Sequence, residues 1–323
     1  MSKNFKPTLV VAGEPYSIFT EIFFKALKNK KVQNEIILII SKKLLIAHMK
    51  FFKYNLKINT INKDIFNLNK IKKNEINIID VKFNFRKNFD KISSKSNIYI
   101  KKSFELALDL LKTNNFSGLI NGPISKKDFL KGKILGITEY LSKKTNNKDN
   151  TVMLIYNKKL AVSPLTTHLP LKSVYKKITR KKIINHVQLI NKFYKKRFNK
   201  KPKIAITGLN PHCESNFKNS EEETIIKPTI KNLKKKNFSI DGPFPADTIF
   251  MRGNLRKFDV IIGMYHDQVL TPMKSLFEFD AINITLGLPF VRISPDHGPN
   301  TAMLGKNLSN PKSLIEALKF LNN

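Results

Sequence analysis

Several side chains able to do chemistry stand just past short apolar runs in this chain. The runs at 160–163, 204–207 and 260–263 lead into "PLTTHLPL", "GLNPHCES" and "MYHDQ", so His168, His212 and His266, three of the six histidines, each follow a strand-like segment. Imidazole is the commonest metal-binding side chain at neutral pH. Three protein ligands that leave one position open are the pattern of a catalytic metal site rather than a structural one. Each histidine taken alone also fits a surface or structural role. Cys213 is a rival ligand beside His212, but a single thiolate adds little without a second cysteine. His48 and His186 sit in helical or polar surroundings and read as structural.

Other polar residues fall in the same stretches. Lys274, Asn283 and Arg292 suit a phosphate or carboxylate, Arg through a two-pronged grip. Asp247, in "PFPADT", and Asp267 are candidates to orient a metal-bound histidine or accept a proton. Solvation or helix capping is the alternative for each, most strongly for Lys274 among so many lysines. The chain contains no G-x-G, which argues against an ordinary Gly-rich dinucleotide site.

Alternating short aliphatic runs and longer helical stretches must position these residues. Strands are expected over 8–12, 36–40, 118–121, 152–156, 160–163, 204–207, 260–263 and 282–286. Helices are expected over 17–29, 103–113, 171–198, 220–236 and 313–321. The stretch 63–95 is rich in Asn and Lys and has no clear assignment. Such alternation predicts an α/β architecture with a largely parallel sheet, and ligands at the carboxyl ends of the strands.

At 323 residues the chain can hold two domains. Hydrophobic residues make up 41% and aromatics 10%, a globular composition. No apolar run approaches the roughly 18 residues a membrane span needs. The opening "MSKNFKPTLVVAG" reads as a first strand and not as a cleaved signal. The single cysteine points to a reducing cytoplasm. A net charge of +35 raises the prospect of a nucleic-acid partner, but the lysines are spread along the whole chain and form no stripe interleaved with aromatics. That spread favours a solvated surface.

Taken together, "NGPISK" (121–126), "GLNPH" (208–212), "GPFPADT" (242–248), "MYHDQ" (264–268), "NITLGLPFVR" (283–292) and "DHG" (296–298) resemble the 4-hydroxythreonine-4-phosphate dehydrogenase family of pyridoxal phosphate biosynthesis. Order and spacing match from about residue 116 onward. The resemblance implies a two-domain, isocitrate/isopropylmalate-dehydrogenase-like α/β fold around a central cleft, working as a homodimer. One domain would comprise 1–125 with 275–323, the other 126–274. It implies a divalent metal (Zn, Mg or Co) on His168, His212 and His266, one of these reaching in from the partner subunit. It implies substrate contacts from Thr138, Lys274, Asn283 and Arg292. The segment "SPDHGPNTAMLGKNLSNP", with Asp296, His297 and Gly298, resembles the loop that holds the adenosine end of NAD or NADP. The reaction so implied is oxidation of 4-phosphohydroxy-L-threonine, then loss of carbon dioxide to give 3-amino-1-hydroxyacetone 1-phosphate.

Two departures stand out. Where the family has "GHTE", this chain reads "GITE" (136–139), so Ile137 replaces a polar substrate contact while Thr138 is kept. A loop of the form "GEPAGIGPE" is here "GEPYSIFTE" (13–21), with Tyr16 and Phe19 in place of small residues. The first departure opens a second reading, a same-family enzyme acting on 4-phospho-threonate or -erythronate.

Overall fold

The computed structural model describes residues 6–29, 32, 35–63, 67–130, 136–147, 150–213, 218–278, 280–295 and 298–322. The chain begins β1 (Thr8–Val11), α1 (Phe19–Leu27), β2 (Ile36–Ile40), α2 (Lys42–Phe51), β3 (Ile58–Thr60), β4 (Ile76–Asp80), α3 (Asn97–Leu111) and β5 (Gly118–Asn121). It continues with α4 (Ile137–Lys144), β6 (Val152–Tyr156), β7 (Ala161–Pro164), α5 (Arg180–Phe198), β8 (Ile204–Thr207), α6 (Lys227–Lys235) and β9 (Ile240–Phe244). The last elements are α7 (Arg252–Leu255), β10 (Val260–Gly263), α8 (His266–Phe277), β11 (Ile282–Leu286), β12 (Arg292–Pro295) and α9 (Lys312–Asn322). Two compact units emerge: Met1–Tyr140 with Pro289–Asn323, and Leu141–Leu288. Both junctions lie further along the chain than 125 and 274.

The first unit carries the strand order β3-β4-β2-β1-β5-β12, and its registered pairs are all parallel. Strands covered on both faces should be continuous apolar runs, and "IILII" of β2 is buried at every position. β4, "INIID", emerges from the Asn/Lys-rich stretch because four of its five residues are buried. Ser41 starts α2 by accepting a hydrogen bond from the Leu44 amide.

The second unit has the order β11-β6-β7-β10-β8-β9. β7, β10, β8 and β9 run parallel, whereas β6 is antiparallel to both β7 and β11. The helix expected over 171–198 is shorter than its pattern. Short 3-10 turns occupy Leu171–Ser173 and Tyr175–Lys177, and α5 starts only after Thr179, which is extended and caps the Lys182 amide. Asn199, in the left-handed region at φ 49°, ends it.

The altered loop after β1 keeps Gly13 at φ +80°, where an added Cβ would stand 2.4 Å from the Pro123 carbonyl. Tyr16 and Phe19 turn into the core instead of crowding the loop. Tyr16 packs edge-on against Phe83, and Phe19 stacks on Phe23 beside Gly122, whose missing Cβ makes room for it.

Candidate functional site

The three histidines follow β7, β8 and β10, which are mutually parallel, so all three leave the same edge of the second unit's sheet. Pairing continues past the strands. The Leu165 amide donates to the Gly263 carbonyl at 2.7 Å, and the Thr166 hydroxyl donates to the Met264 carbonyl at 2.7 Å. That continuation brings His168 and His266 together, ring centroids 6.0 Å apart, on an open pocket of about 350 Å³ that Tyr265, Asp267, Leu171 and Val174 also line.

His266 is the first residue of α8, and its Nδ1 lies 2.6 Å from the Asp267 carboxylate. A carboxylate on Nδ1 leaves Nε2 as the ligating nitrogen, a common arrangement behind metal-bound histidines. Two imidazoles sharing one cation at about 2 Å with near-tetrahedral angles have centroids roughly 5 Å apart, so this pair stands slightly wide of a shared divalent metal and within reach of one. Among the described residues, no three His, Cys, Asp or Glu side chains form a metal-holding group. His212 is exposed in the turn Pro211–Cys213, with φ 57° and ψ 3°, a left-handed conformation costing a non-glycine residue on the order of 1–2 kcal/mol. Backbone strain of this kind concentrates at working sites. Cys213 is buried, and that burial, reinforced by Glu222 and Asp247, holds its thiol above the usual range and therefore protonated at neutral pH. The rival ligand is thus a poor one. Asp247 itself is exposed in the turn after β9.

The remaining polar candidates stand on regular elements, Asn283 within the strand expected over 282–286. Lys274 is in α8 and exposed, and Asn283 is the second residue of β11. The Asn283 Oδ1 is buried with no hydrogen-bond partner among the described residues, an orphan suited to a donor from outside the chain. Arg292 opens β12 because its neighbours pair with β5, Arg292 opposite Leu119.

Within the first unit, Arg292 is 1% exposed, and its Nε donates to Asn121 Oδ1 at 2.7 Å. Its Nη1 donates to the Thr138 hydroxyl at 3.3 Å. Burial pushes its pKa down to about 10, opposed by the Glu139 carboxylate, so it remains a cation at neutral pH. Buried guanidinium charge is costly without such partners. Asn121, at the tip of β5, and Glu139, whose Oε2 is buried with no hydrogen-bond partner among the described residues, were not singled out in the sequence. Both lie in stretches quoted above, and the cue for Asn121 is its position at a strand end. Asp296 and His297 lie outside the described residues. Gly298 is exposed, and its neighbour Pro299 accepts a hydrogen bond from the Ile18 amide, joining the loop after β12 to the altered loop after β1. His48 and His186 are buried and structural as expected, His48 bonding Thr20 and the Asn88 carbonyl.

These elements define an α/β enzyme of two units that presents a histidine pair and a buried arginine at its strand ends. The family model for Pyridoxal phosphate biosynthetic protein PdxA matches residues 31–321. This chain belongs to that family, and it is a dehydrogenase. It is 39% identical over 320 residues to a 4-hydroxythreonine-4-phosphate dehydrogenase of Sulfurihydrogenibium sp. (strain YO3AOP1), covering 96% of each chain. A relative from Oceanobacillus iheyensis, provisionally named D-threonate 4-phosphate dehydrogenase, is 36% identical over 217 residues, 66% of this chain and 65% of its own. The crystal structure of 4-hydroxythreonine-4-phosphate dehydrogenase from Klebsiella pneumoniae superposes with a TM-score of 0.83 at 24% identity, covering 98% of both chains. The Burkholderia phymatum structure of the same name gives 0.80 at 25%, covering 98% of this chain and 97% of that one. Among the described residues, no helix is long and apolar enough to cross a membrane.

Proposed function

We propose that this chain oxidises 4-phosphohydroxy-L-threonine with NAD or NADP and a divalent metal, and that the oxidised product loses carbon dioxide to give 3-amino-1-hydroxyacetone 1-phosphate. The observation that carries the reading is the 39% identity across 96% of a relative named for this substrate. The paired imidazoles of His168 and His266 supply the chemical rationale. His168, His266 and His212 are the metal ligands in this reading, with Asp267 fixing the His266 tautomer. When bound, the cation (Zn, Mg or Co) acidifies the substrate hydroxyl and the nicotinamide accepts hydride.

The chain's own residues bind and orient. Arg292, kept cationic and held at Nε and Nη1, grips an anionic group of the substrate beside Thr138. Lys274 adds a second cation, and Asn283 an amide whose oxygen has no hydrogen-bond partner among the described residues. Asp296, His297 and Gly298 take the adenosine end of the cofactor. The enzyme works as a cytoplasmic homodimer; exposed Leu171, which lines the pocket with His168 and His266, supports the homodimer reading. Purified protein supplied with a divalent metal should reduce NAD(P)+ with 4-phosphohydroxy-L-threonine. No turnover with any of the three metals sinks the reading.

A second reading keeps the site and changes the substrate to 4-phospho-threonate or -erythronate. Ile137, at the start of α4 beside Thr138, motivates it, as does the Oceanobacillus relative. Side-by-side kcat/KM values on the three substrates decide between them.

A further inference from the structure

Gln268 occupies the first turn of α8, two residues after His266. Its side-chain amide makes three hydrogen bonds to two different strand ends. Oε1 accepts from the Met264 amide at 2.7 Å and from the Thr207 hydroxyl at 2.8 Å. Nε2 donates to the Gly208 carbonyl at 2.8 Å. The orientation of the amide is fixed by its partners, since a backbone N–H requires the oxygen and a carbonyl requires the nitrogen. One end of this bridge is thus the β10 exit that delivers His266, and the other is the β8 exit that delivers His212.

The β8 exit is held from its other side as well. Glu222, fully buried, accepts from the Leu209 and Asn210 amides at 2.7 and 2.9 Å through Oε1, and from the Asn210 side chain at 2.8 Å through Oε2. These hydrogen bonds hold its carboxyl below the usual range against the opposing effect of burial. The Gly208 amide donates to the Phe244 carbonyl at 3.0 Å. Two glycines leave room for the bridge. A Cβ on Gly208 would meet Cys213 Sγ at 2.6 Å and Glu222 Oε1 at 3.0 Å. A Cβ on Gly263 would meet Val269 at 2.4 Å and the Gln268 oxygen at 3.1 Å.

We propose that Gln268 is a positioning residue that ties the first turn of α8, which begins with His266, to the β8 exit that leads to His212, and so presets where each of these two metal ligands stands on its own subunit. The inference rests on the metal reading given above. Its physical basis is that a ligand held in place before the cation arrives loses less conformational freedom on binding. Outer partners that orient metal ligands typically contribute 10- to 100-fold in affinity.

The test is Co2+ titration of the metal-free, full-length protein, followed by visible absorbance, on wild type, Gln268→Met, Gln268→Glu and His266→Ala. Gln268→Met keeps the side-chain length and removes all three hydrogen bonds, and is expected to weaken Co2+ binding tenfold or more. Gln268→Glu keeps the acceptor for Met264 and Thr207 but sets a carboxylate against the Gly208 carbonyl, and should weaken it less. In metal-free Gln268→Met, amide exchange at Met264 should rise at least tenfold, a change that needs no turnover to observe. Binding within twofold of wild type in Gln268→Met overturns the proposal if His266→Ala has lost Co2+. Unchanged binding in His266→Ala overturns the metal reading instead. Should Gln268→Met fail to fold, wild-type affinity in Gln268→Glu overturns the proposal and a loss supports it.

Discussion

Glu14 offers a prediction whose size follows from the structure. The residue is 2% exposed in the loop after β1, where Ser96 Oγ donates to its Oε2 at 3.0 Å and the Tyr16 amide donates to Oε1 at 3.4 Å. Burial raises its pKa from 4.5 to about 7 against those hydrogen bonds, and the nearby Asp128 adds to the rise. An acid whose pKa is raised by folding binds its proton more tightly in the native state. Its contribution is therefore complete below pH 4.5, falls as pH climbs, and is gone once pH passes about 7. At about 1.4 kcal/mol per pH unit, the interval amounts to about 3 kcal/mol. His186 pulls the opposite way. Burial lowers its pKa from 6.5 to about 4, so its contribution is present above pH 6.5 and lost as pH falls toward 4. The wild-type curve alone would therefore hide Glu14, and the informative quantity is the difference between Glu14→Gln and wild type. Urea unfolding from pH 4.5 to 8 should show that difference moving in favour of Glu14→Gln by about 2–3 kcal/mol as pH rises. A difference independent of pH refutes the reasoning, because it would mean that the Glu14 carboxyl ionises equally easily in the folded and unfolded chain.

Replacing His186 with Asn should flatten the acid limb below pH 6.5, read by the same urea series. Asn121→Leu removes the acceptor of a buried guanidinium Nε and should cost about 2–3 kcal/mol of stability, with a raised substrate KM, whereas Asn121→Asp should lose less. Gly122→Ala places a Cβ 2.1 Å from the Ala12 carbonyl and 2.6 Å from the Phe19 ring, and about 1–3 kcal/mol of destabilisation is expected in thermal melts. His266→Ala should abolish divalent-cation binding, checked by metal content after dialysis, while leaving circular dichroism unchanged.

Much of the sheet was legible because buried parallel strands are bare aliphatic runs. The runs at 36–40, 204–207 and 282–286 coincide with β2, β8 and β11. β12 and β9 were not legible. One opens on Arg292 and ends on a proline, the other reads "IDGPF", and each violates the apolar pattern where a neighbouring strand supplies the pairing. The three histidines on one edge were legible because β7, β8 and β10 are parallel, which alternation with helices predicts. The surroundings of Arg292 were not, because Asn121 and Arg292 are brought together by the pairing of β12 with β5, and Thr138 reaches the guanidinium from α4. Gln268 was hidden for the same reason, its partners Thr207 and Gly208 lying about sixty residues earlier in the chain.

The reversal of β6 has a practical consequence. β6 runs against β7, so the turn joining them, with exposed Lys158 and Lys159, sits on the edge of the second unit's sheet opposite the one the histidines leave. Asn157 closes that turn by accepting from the Lys159 amide at 2.9 Å, and its own amide donates to the Leu160 carbonyl at 3.1 Å. A dye, an affinity handle or a surface tether attached at Lys158 would ride on a rigid hairpin and leave the ligand-bearing edge unencumbered.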